Sequence, residues 1–135
     1  MNWLEKYPWS IIGQGYEMEL SEVGTSWFDN LDTWCPGWIG IITEFADRVT
    51  NLLNDHIEAK ITILQIKEKY GELRFYASAE SEDEEFHDRF NELMDDLEDA
   101  SKITCMRCGN NDTAKTRPRW DITYCDDCWA RIERR

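Results

Sequence analysis

The sequence predicts an α+β fold, and three patterns between residues 38 and 99 predict it. Apolar residues recur at steps of three and four from Trp38 to Asp55. Two compact runs, β-branched and then alternating, flank Gly71. A second helical stripe of apolar residues runs through a strongly acidic stretch from Glu80 to Asp99.

Taken in order, Met1 to Gly37 is rich in Trp, Gly and Pro with weak periodicity. It reads as an irregular segment with short strands or one short helix. Trp38, Ile41, Ile42, Phe45, Val49, Leu52 and Leu53 then line one face of a helix over Trp38 to Asp55. Ile61-Thr62-Ile63-Leu64-Gln65-Ile66-Lys67 is compact and β-branched, which predicts a strand. Glu68-Lys69-Tyr70-Gly71 supplies a turn, with Gly71 free to take positive φ. From Glu72 to Ser78, Leu73, Phe75 and Ala77 alternate with Arg74 and Tyr76, giving a second strand with two different faces. The two strands form an antiparallel hairpin.

Glu80 to Asp99 holds eleven acidic residues and one basic residue, Arg89. Phe86, Phe90, Leu93, Met94 and Leu97 fall on one helical face. Ser81 is placed to cap this helix, and Asp83, Glu84 and Glu85 suit its N-terminal dipole. The helix packs on the hairpin. Its acidic face reads most simply as a solvated surface, and more sharply as a docking face for a basic partner.

The 135 residues fit a single-domain length, and 41% of them are hydrophobic, seven being Trp. That is enough for a real core and excludes disorder for most of the chain. No apolar run approaches the roughly 18 residues that span a bilayer. Met1-Asn2-Trp3-Leu4-Glu5-Lys6 lacks the basic-then-apolar pattern of a secretory signal, so a cytoplasmic location is expected. The net charge is −13, unevenly spread. Residues 1–101 carry 7 basic and 23 acidic groups, a net of −16, and residues 102–135 carry 8 and 5, a net of +3. An acidic body of this kind repels a phosphate backbone and opposes strong nonspecific DNA binding.

Five cysteines are present. Cys105-Met106-Arg107-Cys108-Gly109 and Cys125-Asp126-Asp127-Cys128 are two Cys-x-x-Cys pairs with 16 residues between them. Two residues between cysteines let both sulfurs reach one tetrahedral ion, and Gly109 relaxes the backbone beside them. The spacing predicts one zinc ion on Cys105, Cys108, Cys125 and Cys128. Two disulfides are opposed by a reducing cytosol, and a redox pair by the duplication. Thr116 to Tyr124 reads as a strand returning to the metal, and Asp126 to Arg135 as a short helix with Trp129 and Ile132 on one side. The finger resembles the treble-clef type. With all four positions filled by thiolates no site stays open for water or substrate, so the metal is structural. The expected organisation is an acidic α+β domain over residues 1–101 and a zinc finger over residues 102–135. Cys35, in Trp34-Cys35-Pro36-Gly37, reads as a small buried hydrophobe; no neighbouring cation favours a reactive thiolate there.

The string Gln65-Ile66-Lys67-Glu68-Lys69-Tyr70-Gly71-Glu72-Leu73-Arg74-Phe75-Tyr76 follows a Gly37-Trp38 helix start and precedes the four-cysteine finger. This combination, over Trp38 to Arg135, resembles a group of small, largely uncharacterised proteins from bacteriophages and bacteria. The resemblance implies a zinc-containing α+β module in a phage or prophage setting, and implies no activity.

No catalytic constellation stands out. His56 and His87 have no neighbouring Ser or Cys in a nucleophile arrangement and read as surface or helix-end residues. Gly13-Gln14-Gly15 is too short for a dinucleotide fingerprint. The first expectation is therefore a non-catalytic binding protein that engages another protein, such as a host defence or nucleic-acid enzyme. An acidic surface could also imitate the charge of DNA. The alternative is a nucleotide or nucleic-acid binder. Lys67, Lys69, Arg74 and Tyr76 on the hairpin, with Arg107, Lys115, Arg117, Arg119 and Trp120 on the finger, would form its cationic, aromatic patch. Against that patch, the cations can simply pair with Glu68, Glu72 and other carboxylates. A zinc-stabilised enzyme is the least supported reading.

Overall fold

A computed structural model describes residues 2–12, 24–29 and 31–133. The chain is mixed α+β, with two small antiparallel hairpins. Gly13-Gln14-Gly15, Arg134 and Arg135 lie outside the described residues.

The N-terminal segment contributes more to the core than its weak periodicity predicts. A one-turn helix α1 (Trp3–Lys6) is capped by Asn2, whose Oδ1 accepts from Glu5 N at 3.1 Å. A 3-10 turn follows at Pro8–Ser10, and a single β-bridge joins Ile11 to Ser26. Trp3, Tyr7 and Phe28 are buried, with Trp3 and Phe28 edge-to-face at 5.2 Å. Tyr7 Oη donates to Asp47 Oδ1, and Trp9 Nε1 donates to Thr50 Oγ1 at 3.2 Å. These bonds fasten the segment to the long helix that follows.

A second short helix, α2 (Leu31–Trp34), leads through a 3-10 turn at Pro36–Trp38 into α3 (Ile39–Asp55). Ile42, Phe45, Ala46, Val49 and Leu52 are its buried residues, at the spacing of one helical face. Trp38, fully buried, precedes the helix and donates its Nε1 to Thr104 O at 2.9 Å.

The hairpin pairs β1 (Lys60–Lys69) with β2 (Glu72–Glu80). Its turn is tighter than expected. Only Tyr70 and Gly71 lie outside the strands, both at positive φ (56° and 81°). Such two-residue turns match the twist of the strands. Glu68 stays in β1, and its Oε1 accepts from Gly71 N at 2.7 Å. A register shift between Ile63 and Gln65 inserts Leu64 as an extra residue. The shift changes which side chains share a face. Ile61 and Ile63 pair with Ala79 and Ala77, then Ile66 pairs with Phe75, and all point at the helices.

The last long helix, α4 (Glu84–Ser101), is capped by Asp83 rather than Ser81. Asp83 Oδ1 accepts from Glu85 N at 2.9 Å, and Ser81 Oγ instead accepts from Asp83 N at 3.0 Å and donates to Glu58. Phe86, Phe90 and Leu97 are buried on its inner face; Leu93 and Met94 are half-buried. α3 and α4 cover the inner face of the hairpin, with Phe45 on Phe75 at a ring distance of 5.0 Å. The core continues past residue 101, because Met106 belongs to it. Among the described residues no helix is long and apolar enough to cross a membrane.

Candidate metal centre

The centre begins where α4 ends. Ser101 Oγ donates to Glu98 O at 2.6 Å and accepts from Leu73 N at 2.9 Å, so the last turn of the helix is fixed to β2. The chain then makes its first cysteine turn. Gly109 N donates to Cys105 O at 3.0 Å, and Gly109 takes φ +85°, the left-handed region that glycine enters without strain. That conformation brings Asn110 N to 3.4 Å from Cys108 Sγ. The second pair spans the end of a small hairpin and the start of α5 (Asp126–Glu133), with Cys128 N 3.5 Å from Cys125 Sγ.

The stretch expected as one returning strand is itself that hairpin, β3 (Lys115–Arg117) paired with β4 (Ile122–Tyr124). Pro118 removes an N–H donor that a continuing strand would need. Arg119 and Asp121 take φ +79° and +50°, which reverse the chain.

The four cysteines converge. Their sulfurs all lie within 4.8 Å of one another, and Cys108 Sγ is 3.6 Å from Cys125 Sγ. A tetrahedral zinc site with Zn–S bonds of about 2.3 Å has sulfur–sulfur edges of about 3.8 Å. The cluster can therefore hold a metal ion such as zinc. Cys105, Cys125 and Cys128 are buried and Cys108 is exposed.

The thiols also show why a cation suits this cluster. Burial pushes the Cys105 pKa up, but N–H donors from Cys108, Cys125 and Arg107 outweigh it and hold the value down to about 7. Burial and the neighbouring sulfurs push Cys128 up. Thiolates packed within 4.8 Å of one another repel, and a divalent ion among them removes that repulsion. Cys35 lies apart. Burial, and then the charge of Glu68, push its thiol up to about 12, as expected of a small apolar filler.

The centre is built into the body at two glycines. Gly37 N donates to Met106 O at 2.8 Å, and a Cβ on Gly37 would stand 2.0 Å from Cys105 O and 2.6 Å from Gly109 N. At the hairpin tip, Thr123 Oγ1 donates to Gly71 O at 2.6 Å, and a Cβ on Gly71 would stand 3.1 Å from Asp121 O. The sequence gives no signal for Thr123, and Gly37 stands out only as part of a helix start.

The cationic patch residues fare differently from one another. Lys67 and Arg74 face each other across the hairpin, on the side away from the helices. Lys67 Nζ lies 5.6 Å from the Tyr76 ring, and Arg74 Nη2 lies 3.0 Å from Glu72. Lys69 Nζ lies 5.5 Å from the Tyr70 ring. Arg119 and Trp120 are exposed in the β3–β4 turn, and Arg107 and Lys115 are exposed elsewhere on the finger. Arg117 is corrected: it is buried, with its guanidinium at 2.8 Å from Asp126 Oδ1 and 3.0 Å from Tyr124 O, over the Trp129 ring. It is a strut of the finger, not part of an open surface. Tyr70, which sequence reasoning assigned only to a turn, is exposed beside the finger.

The histidines bracket the start of α4. His56 ends α3 with Nδ1 3.3 Å from Asp83, and His87 Nε2 is hydrogen-bonded to Ser81 O at 2.9 Å. No protein-family model matches the chain, and no curated protein or solved structure is significantly similar to it.

Proposed function

We propose that this chain is a zinc-containing binding protein without a catalytic centre of its own, acting through protein–protein contact. The closed set of four thiol donors carries this reading. Cys105, Cys108, Cys125 and Cys128 would fill all four positions of a tetrahedral zinc ion, leaving none for water or substrate. The zinc would then hold the β3–β4 hairpin against Gly71 and Met106 in the core. It would shape a surface rather than perform chemistry. The acidic body suits a basic partner, and the resemblance to phage and bacterial proteins points to a host defence or nucleic-acid enzyme. Cross-linked capture from a bacterial lysate, at low and high salt, tests this. A stoichiometric protein partner is expected, and its absence at every salt concentration overturns the reading.

A second reading rests on the abutting hairpin tips. Tyr70 and Trp120 are 62% and 63% exposed, next to the contact between Gly71 and the β4 end. With Lys67, Lys69, Arg74, Tyr76 and Arg119 they would offer rings for stacking and cations for phosphate. Arg117 is withdrawn from this set by its burial. Titration with short oligonucleotides and with nucleotides tests it. Trp120→Ala is expected to abolish any binding at unchanged melting temperature, and an unchanged melting temperature of the wild type across the whole ligand panel removes the reading.

A further inference from the structure

α3 and α4 leave a groove along their length. Its lining joins Ile41 to Ala100 at one end and Asp55 to Glu85 at the other, so the helices run antiparallel and flank it throughout. Two cavities of about 430 and 190 Å³ share Arg48, Leu93 and Asp96, and form one trough. Ile41 and Asp55 are about 21 Å apart along the helix, the length of roughly four turns.

The floor is apolar, with Leu52 and Leu97 buried and Ile41 and Leu93 half-buried. The walls are acidic. Five carboxylates against two guanidinium groups line the trough, a net of −3 from these groups. Both arginines are held by their own helices, Arg48 to Glu44 at 2.7 Å and Arg89 to Glu85 at 3.3 Å. Asp55, Glu92 and Asp96 remain as wall charges with no ion pair among the described residues. Glu84, Asp88, Glu92 and Asp96 also follow one another at four-residue steps along α4. Each such like-charge neighbour destabilises a helix on its own, and a cation alongside relieves it.

We infer that this groove docks a cationic amphipathic helix of a partner protein, an inference that rests on the protein-binding reading above. An apolar ridge at i, i+3, i+4 and i+7 fills the trough over Leu52 and Leu93, and flanking Lys or Arg meet Asp55, Glu92 and Asp96. A second copy of this chain is a poor occupant. Its own long helix α4 carries eight carboxylates and one arginine, so it meets repulsion there. Nucleic acid and anionic lipid are repelled for the same reason.

The probe is a synthetic peptide of about 18 residues (about five turns), with Leu at helical spacing and Lys on both flanks. It is titrated into the isotope-labelled, zinc-loaded full chain, beside a scrambled peptide of identical composition. The helical peptide is expected to shift the amide signals of Leu52, Leu93 and Asp96 and to bind at least tenfold tighter than the scramble. Glu92→Lys with Asp96→Lys is expected to weaken it at least tenfold, at unchanged zinc content. Glu92→Gln with Asp96→Asn, which keeps side-chain shape, is expected to weaken it about threefold should charge reversal disturb the helix. Equal binding of the scramble, or shifts confined to the finger or the N-terminal segment, overturn the inference. Those outcomes leave the protein-binding reading standing, because lysate capture tests it separately.

Discussion

The Cα of Gly37 faces the carbonyl oxygen of Cys105 so closely that a methyl group on Gly37 would stand 2.0 Å from it. The obstructing atoms are backbone, of Cys105, Met106 and Gly109, and cannot swing aside as a side chain would. This contact seats the first cysteine turn on the body of the protein.

Gly37→Ala is therefore expected to destabilise the fold by about 3 kcal/mol or more, the upper end for overpacking. The control is Gly40→Ala, in the first turn of α3, where an added Cβ meets nothing within 4 Å. Alanine there is expected to stabilise by up to about 1 kcal/mol through helix propensity. Denaturant unfolding of both variants reads the two signs. Equal effects would mean that the cysteine turn is not seated on Gly37.

Purified, reduced protein is expected to carry one zinc ion per chain by elemental analysis. Chelation should loosen Met106 and the Thr104 carbonyl that receives Trp38 Nε1, so damage spreads from the finger into the core. A fall in melting temperature of more than about 10 °C is expected, given the energies of structural zinc sites. Cys105→Ser or Cys125→Ser should abolish stoichiometric zinc, and Cys35→Ala should leave it at one. Zinc content that is unchanged in the first two variants would remove the metal assignment.

The parts of this fold that were legible in the sequence are those with a period. α3, the hairpin strands and α4 announce themselves by apolar spacing, and the cysteine pairs by theirs. The register shift at Leu64 has no such mark, and without it the alternation of Ile61 and Ile63 would carry Gln65 inward instead of Ile66. The N-terminal aromatics pack from positions 3, 7 and 28: Trp3 and Tyr7 are one helical turn apart in a segment too short to show a repeat, and no period connects them to Phe28. Ser81 and Asp83 both suit an N-cap, and local geometry decides between them. Arg117 looks like a surface cation in sequence. Its partners, Asp126 and the Tyr124 carbonyl, arrive only when the chain reverses at Pro118 and returns.

Tyr7 gives a pH prediction. Burial, and then its hydrogen bond to Asp47, raise the phenol above its ordinary pKa of 10.0. The folded state thus holds the phenolic proton more tightly than the unfolded state. The resulting stability is fully present below pH 10 and is lost as pH rises through the folded value. Tyr7→Phe removes both the bond and the titration. It is expected to cost about 1.5 kcal/mol at neutral pH. Between about pH 9 and 11 the wild type should lose stability more steeply than the variant, narrowing the gap. Parallel pH profiles in chemical denaturation would show that the fold does not raise the Tyr7 phenol.

Arg117 separates a strut from a binding residue. Its guanidinium donates to Tyr124 O and Asp126 Oδ1 at once and covers the Trp129 ring, a set that needs a planar fork. Lysine at this position supplies one point charge and leaves an acceptor of the finger unmatched. Arg117→Lys is expected to destabilise the chain by about 1–3 kcal/mol and to speed zinc release to a chromogenic chelator severalfold. Arg119→Lys, exposed in the neighbouring turn, is expected to change neither by a measurable amount. The Arg117–Asp126 bond also holds the Asp126 carboxyl below its ordinary range, so the Asp126 signal should titrate nearer its usual value in Arg117→Lys. Zinc release at the wild-type rate in Arg117→Lys, with Asp126 unmoved, would return Arg117 to the surface where its sequence first placed it.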